Sequence, residues 1–450
     1  MGPTAVALAL SIAALGGLVA LGRGLGAATG LQRIGLPAAL LSGLIGLLIG
    51  PFGVAPVLPM GLTDRWIDLP AVLMTLVFST MLLGKPLPSA GELWRPASAQ
   101  LLLGLTLGFG QYLVGALVVL GILIPWLGVH PLMACLIEVG FEGGHGSAAV
   151  MGPIYASFGF TGGRDLGLAM ATVGLVSSVV LGSVLVILAR QFQWIGSAAG
   201  GDDAASPAPT SRGPWWDGAQ SLATNLGCCG LAVLLALGMQ QVLLAVAPRI
   251  NDGMVQVVQT MPLFPLALVG SLLVQLLLER TGQTGLATAP LQSKTAGLAT
   301  DVLITAAMAG LNLPLLLHDW LPLTILAGAG LGWNLFGLLV LSKPMLPAPW
   351  FERGITEFGQ ATGVAATGLL LLGLADPEAK SATLAPFSIK QLVLQPVLAG
   401  GVVTVLAPLA VMTWGLQTWA VLCLAITLLL GGGGLLLARL PTAPKGAIRP

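Results

Sequence analysis

Eleven apolar stretches follow one another along this chain, each about as long as the 20 residues an α-helix needs to cross a bilayer. In the first half they run at 4–22, 34–57, 67–84, 100–125 and 166–189. In the second half they run at 222–247, 257–278, 296–317, 320–342, 391–412 and 415–438. A soluble fold has no use for such a pattern. Charged residues are only 8% of the chain, against about 25% in a soluble domain, so there are too few to cover a watery surface. Hydrocarbon penalises each charge by several kcal/mol, which explains their scarcity. The expected fold is therefore an all-α polytopic membrane protein of about 11 spans. No basic residue precedes the stretch 4–22, so it reads as the first span and not as a signal peptide.

Other function classes find little support. A net charge of +1 offers no basic face for nucleic acid. Cys135, Cys228, Cys229 and Cys423 sit in apolar stretches without metal-ligand spacing. There is no HExxH, no GxSxG elbow and no obvious pair of aspartates deep in a span, so no enzymatic activity and no cofactor are expected.

Two apolar regions, 131–160 and 350–376, are unlike the rest, with Gly, Pro, Thr and acidic residues at their middles. Reading both as re-entrant hairpins makes the loops alternate consistently. Fifteen of the 18 basic residues then fall on one side: Arg23, Arg33, Lys85, Arg95, Arg190, Arg212, Arg280, Lys294, Lys343, Arg353, Lys380, Lys390, Arg439, Lys445 and Arg449. Arg65, Arg164 and Arg249 fall on the other. The positive-inside rule puts the N-terminus outside and the C-terminus in the cytoplasm. The Ala-, Leu- and Gly-rich composition suits a prokaryotic inner membrane.

The same scheme divides the chain. Residues 1–190 hold five spans with a hairpin between the fourth and fifth, and 221–413 repeat the arrangement. Residues 191–220, with Asp202-Asp203 and Ser206-Pro207, form a polar cytoplasmic linker. Residues 414–450 add one span and a tail. Five spans is an odd number, so the two halves enter the membrane in opposite senses and constitute an inverted repeat.

Non-helical backbone persists inside a membrane where protein or a water-filled cavity satisfies its polar groups. Paired breaks in corresponding places are thus a pointer to a transporter's binding site. The first break reads Glu142-Gly143-Gly144-His145-Gly146-Ser147, and the second runs from Glu357 through Gly359, Gln360, Thr362 and Gly363 to Thr367. The glycines admit positive torsions and close approach of a ligand. Ser147 and Thr362, with freed carbonyls, suit a hard, weakly held cation such as sodium. His145 has two readings: it bonds substrate or carries a proton, or it holds the loop to a neighbouring carbonyl. Glu142 and Glu357 either pin the loops or line the ion path. Asp301, near the start of the span 296–317 and seven residues from Lys294, either sits at the interface or serves the site, and Glu138, ahead of the first loop, either pairs internally or serves it.

Gly143-Gly144-His145-Gly146-Ser147-Ala148 resembles the GGHGT-type signature of the sodium/glutamate symporter family. The segment Glu357–Gly368 resembles its counterpart in the second half, and the order of elements is similar from the first span to 391–412. The resemblance implies sodium-coupled uptake of glutamate, a small anionic substrate, by two inverted five-span repeats with a hairpin each. It also implies a homodimer and a transport domain moving against a fixed scaffold. Ser147 stands where the family has Thr, and the second segment lacks a Thr-Pro-Thr-type run ending in Asn. The span 415–438 is extra. The alternatives are a di- or tricarboxylate symporter of the same architecture and, from another class, a channel or membrane sensor.

Overall fold

A computed structural model describes residues 3–30, 38–66, 69–85, 96–195, 215–249, 262–376 and 383–440, together with 255, 258, 259 and 381. The polar linker expected at 191–220 lies outside the described residues between 196 and 214, as does the tail beyond 440. Arg33, Arg95, Arg212, Lys380, Lys445 and Arg449 are likewise outside them.

Every regular element among the described residues is helical. In the first half, besides one-turn pieces at Met60–Thr63 and Asp64–Trp66, these are α1 (Pro3–Thr29), α2 (Ala38–Ile49), α3 (Leu69–Thr80), α4 (Pro96–Leu127), α5 (Pro131–Gly140), α6 (Gly144–Val150), α7 (Gly152–Ser157) and α8 (Gly163–Gln191). The second half holds α9 (Trp215–Val246), α10 (Phe264–Thr281), α11 (Ala289–Ala309), α12 (Leu313–His318) and α13 (Trp320–Met345). It continues through α14 (Trp350–Thr362), α15 (Ala365–Ala375), α16 (Leu384–Val397), α17 (Val402–Trp414) and α18 (Leu416–Arg439). Proline opens several of these, as at Pro96 and Pro131, where its missing N–H costs nothing. Gly128 and Gly282 end α4 and α10 in the left-handed conformation.

Taking α16 and α17 together, eight of the described helical segments are long and apolar enough to cross a membrane. This is the fold of a polytopic membrane protein. The boundaries differ from the apolar stretches at four of them. The stretches 34–57 and 67–84 hold α2 and α3, each only 12 residues long. The stretch 296–317 ends early, because α11 starts at Ala289 and stops at Ala309, with α12 separate. The stretch 391–412 is not one helix, being interrupted at Leu398–Gly401.

The helices sort into two bundles. One packs α1 on α2, α2 and α3 on α11, α3 on α10, and α10 on α9. Small residues bring these axes together: a side-chain carbon on Gly46 would lie 3.0 Å from Ala309, and one on Gly270 would lie 2.2 Å from the Ala232 carbonyl. The other bundle surrounds α4, which packs against α5, α13, α16 and α18, while α8 packs against α5, α6, α14 and α15. Its 61% burial makes α4 the axis of that bundle, whereas α9 and α18, at 17% and 22%, present apolar faces outward. Each bundle draws helices from both halves of the chain. They meet where α6 packs on α3 and α11.

Candidate functional site

Three interruptions of helical backbone converge at this seam. The first lies between α5 and α6, where Gly144 takes a φ of +66°. The second lies at Gly363-Val364, where α15 folds back along α14. A side-chain carbon on Gly359 would be 2.6 Å from the Gly368 Cα. Thr367 fixes that turn, its hydroxyl accepting from the Val364 N–H at 2.9 Å and donating to the Gly359 carbonyl at 2.8 Å. Ser178 of α8 donates to the same carbonyl at 3.0 Å.

The third interruption, Leu398–Gly401, is the one the hydropathy pattern conceals. Ala399 has a φ of +56° and Gly400 of +94°. Glu138 of α5 holds it in place. Its carboxylate accepts from the Ala399 N–H at 2.8 Å, from the Thr404 hydroxyl at 2.9 Å and from Tyr112 Oη at 2.5 Å. The Gly400 N–H donates in turn to Thr404 Oγ1 at 3.1 Å. A buried carboxylate thus occupies broken backbone that hydrocarbon could not satisfy.

Between the bundles lies a cavity of about 390 Å³. Met74, Phe78, Thr300 and Asp301 are among its wall on the α3–α11 side. The opposite wall brings together Glu142, Gly143, His145, Gly146, Gln360, Val364, Ala365, Ala366, Gln395 and Ala399. Six of the thirteen residues singled out from the sequence therefore share one cavity: Glu142, Gly143, His145, Gly146, Gln360 and Asp301. Asp301 also pairs with Arg23 at 2.7 Å across α11 and α1. His145 is buried, its Nε2 3.0 Å from Thr172 Oγ1, and this bond fixes the ring. Glu142 is buried, with Oε2 lacking a hydrogen-bond partner among the described residues.

The other seven stand just behind the cavity wall. Gly144 touches Val364, while Gly359, Gly363 and Thr367 build the second turn. Ser147 is buried, its Oγ without a partner among the described residues and facing Gly400, where an added side-chain carbon would be 2.6 Å away. Thr362 accepts from Asn334 Nδ2 at 3.1 Å. Asn334 and Gln111 both donate to the Ala361 carbonyl, at 2.9 and 2.6 Å, so side chains satisfy the end of α14. Thr362 thus has a side-chain partner, whereas Ser147 Oγ has none among the described residues.

Glu357 is ion-paired. Lys390 Nζ lies 2.5 Å from Glu357 Oε2 and 2.6 Å from Gln360 Oε1, and both charged side chains are excluded from solvent. Gln100 of α4 donates to Glu357 Oε1 at 3.3 Å and accepts from Arg353 Nη1 at 3.3 Å. Gln360 also bonds Gln391. The basic-residue pattern had put Lys390 and Arg353 in cytoplasmic loops, yet both are buried. A lysine early in an apolar helix reads as a loop residue until its partner acid, on another helix, is seen.

One face of α4 serves both acids. A side-chain carbon on Gly104 would meet Lys390 Nζ at 3.1 Å and Glu357 Oε2 at 3.2 Å, and one on Gly108 would meet Glu142 Oε2 at 2.7 Å. Gln100, Gly104, Gly108 and Gln111 recur at helical spacing, so this stripe faces the breaks. Polar Gln100, Gln111 and Asn334 within apolar spans were the available sequence signal. Among the described residues no group of three or more His, Cys, Asp or Glu is placed to hold a metal ion. The sequence matches no protein-family model and none of the curated proteins compared with it.

Proposed function

We propose that this chain is a secondary transporter that couples uptake of an amino-acid-like solute to a monovalent cation by alternating access. The observation that carries this reading is the seam cavity, because three helix interruptions and two acids meet where two bundles join. Discontinuous helices from two halves, converging on a site between packed bundles, are the expected machinery of such transporters. The bundle of α1–α3 with α9–α11 suits a fixed scaffold, and the bundle around α4 suits the moving part.

The inverted repeat belongs to the same proposal. Both α4 and α13 contain a one-turn π segment near the C-terminal end, at Val119–Leu123 and Gly337–Leu341, and each leads into an interrupted segment. In each half the first three helices of the fold, α1–α3 and α9–α11, enter one bundle and the later elements the other. In this reading the two interrupted segments are re-entrant, the N-terminus is outside and the C-terminus cytoplasmic.

For the solute, a glutamate-like amino acid fits best. Asp301, on the cavity wall, can meet an ammonium. Ala365 and Ala366 line the cavity at the start of the 11-residue α15, where N–H groups without helical partners receive a carboxylate. Among the described residues no lysine or arginine lines the cavity, which weighs against a di- or tricarboxylate without an ammonium. Sodium is the proposed coupling ion, and a homodimer the proposed assembly.

Labelled glutamate uptake into proteoliposomes, with and without an inward sodium gradient, tests the reading. Sodium-dependent accumulation displaced by unlabelled glutamate is expected. Saturable exchange without glutamate accumulation would replace the solute, and non-saturating flux would replace the transporter with a channel.

A further inference from the structure

The two motif glutamates are not equivalent. Glu357 and Glu142 both face the glycine stripe of α4, through Gly104 and Gly108 one turn apart. Glu357 has a counter-cation supplied by the chain itself, the ammonium of Lys390 at 2.5 Å, together with a bond from Gln100. Glu142 forms no ion pair among the described residues, although Lys390 is near enough to attract it. Its Oε2 is buried without a hydrogen-bond partner among those residues, and around the neighbouring Gly108 position the other close atom is Leu398 Cδ1. A charged carboxylate against apolar carbon is strongly disfavoured unless a cation or proton neutralises it.

We propose that Glu142 is the carboxylate neutralised by the exchangeable coupling cation, while Lys390 is a tethered cation that permanently fills the same role for Glu357. This deepens the transporter reading above and rests on it. The chain then carries one fixed and one loadable cation position, so one cation binds per copy at this pair of glutamates. Sodium and a proton supply the same chemistry at Glu142: one positive charge to a buried carboxylate oxygen beside a cavity. The charged and titratable groups around it are Glu138 on its own segment, His145 on α6, Glu357 on α14, Lys390 on α16, and Asp301 of α11 across the cavity. With Glu357 and Lys390 cancelling and Asp301 paired to Arg23, Glu138 and Glu142 leave a net negative centre that attracts the cation.

Thermal unfolding of the purified full chain in detergent tests this without any solute. Raising sodium at constant ionic strength, or lowering pH in sodium-free buffer, is expected to raise the wild-type melting temperature by at least about 2 °C. E142Q is expected to melt at the raised temperature in every buffer, while D319N, outside the cavity lining, keeps the wild-type response. A response to sodium alone identifies sodium, and a response to pH alone identifies the proton. A wild type insensitive to both, or an E142Q that keeps the wild-type response, overturns the proposal. A second measurement needs no variant. A hydrophobic carbodiimide, which attacks protonated carboxyl groups in apolar sites, is expected to label Glu142, with protection by whichever cation binds. Labelling of Glu357 with Glu142 left unmodified overturns the assignment. Failure of glutamate uptake together with success here would sink the solute and leave the cation site.

Discussion

Gly144 and Val364, on different interrupted segments, touch at their turning points: a side-chain carbon on Gly144 would fall 2.6 Å from Val364 Cγ1. Gly144 is also held at a φ of +66°, a conformation that costs other residues about 1 kcal/mol or more. The contact and the torsion act on the same residue, so they can be separated by mutation.

G144V is predicted to abolish uptake, and G144A to reduce it with a lower melting temperature. Adding V364A to G144A relieves the contact and leaves the torsion, so stability is expected to recover only in part. Normal uptake by G144V would remove the case for close approach at this turn.

The buried pair of Lys390 and Glu357 predicts strong non-additivity. K390M leaves a solvent-excluded carboxylate uncompensated, a loss of about 3–5 kcal/mol. The double variant K390M/E357Q is expected to lose less than K390M alone. Folded yield and melting temperature of the three proteins provide the comparison.

At the third interruption, T404V removes a donor to Glu138 and the acceptor for the Gly400 N–H. The expected cost is about 1–3 kcal/mol. Hydrogen exchange at residues 399–401 is expected to accelerate more than in α18. Equal protection in variant and wild type would mean that Thr404 does not hold the break.

Ser147 and Thr362 should separate stability from ion use. S147A removes a hydroxyl with no partner among the described residues and is expected to change stability by less than about 0.5 kcal/mol. T362A takes an acceptor from Asn334 and should cost about 1 kcal/mol. Both are predicted to raise the sodium concentration that half-activates uptake. Unchanged sodium dependence in both would exclude these hydroxyls from the ion path.

D301N breaks the pair with Arg23, whose side chain is half exposed. An exposed pair contributes only about 0.2–1 kcal/mol. Little change in melting temperature is expected, with weaker substrate affinity measured by uptake at varied concentration.

The membrane class and both glycine-rich interruptions were legible because each leaves a local signature: long apolar runs, and Gly beside Glu within them. Glu142, His145 and Gln360 could be singled out for the same reason. The interruption at Leu398–Gly401 was not, although Pro396 and Gly400-Gly401 mark it, because hydropathy averaged over twenty residues passes unchanged through Leu398, Ala399 and two glycines, none of them polar. Lys390 was read as a loop cation for want of its partner, which lies 33 residues earlier on α14. Gln100 and Asn334 point inward only once α4 is seen at the axis. Long-range pairing decides such cases, and no window along the chain carries it.

The π segments of α4 and α13 each hold one residue more than α-helical winding requires. An α-helix advances about 100° per residue. Deleting a single residue from Val119–Leu123 or Gly337–Leu341 would therefore swing everything downstream by more than a quarter-turn about the helix axis. The short pieces Ile124–Leu127 and Ser342–Met345 aim the chain into the two broken segments. Their bearing is set by a one-residue surplus in the helix before them, a compass correction written into the length of the chain.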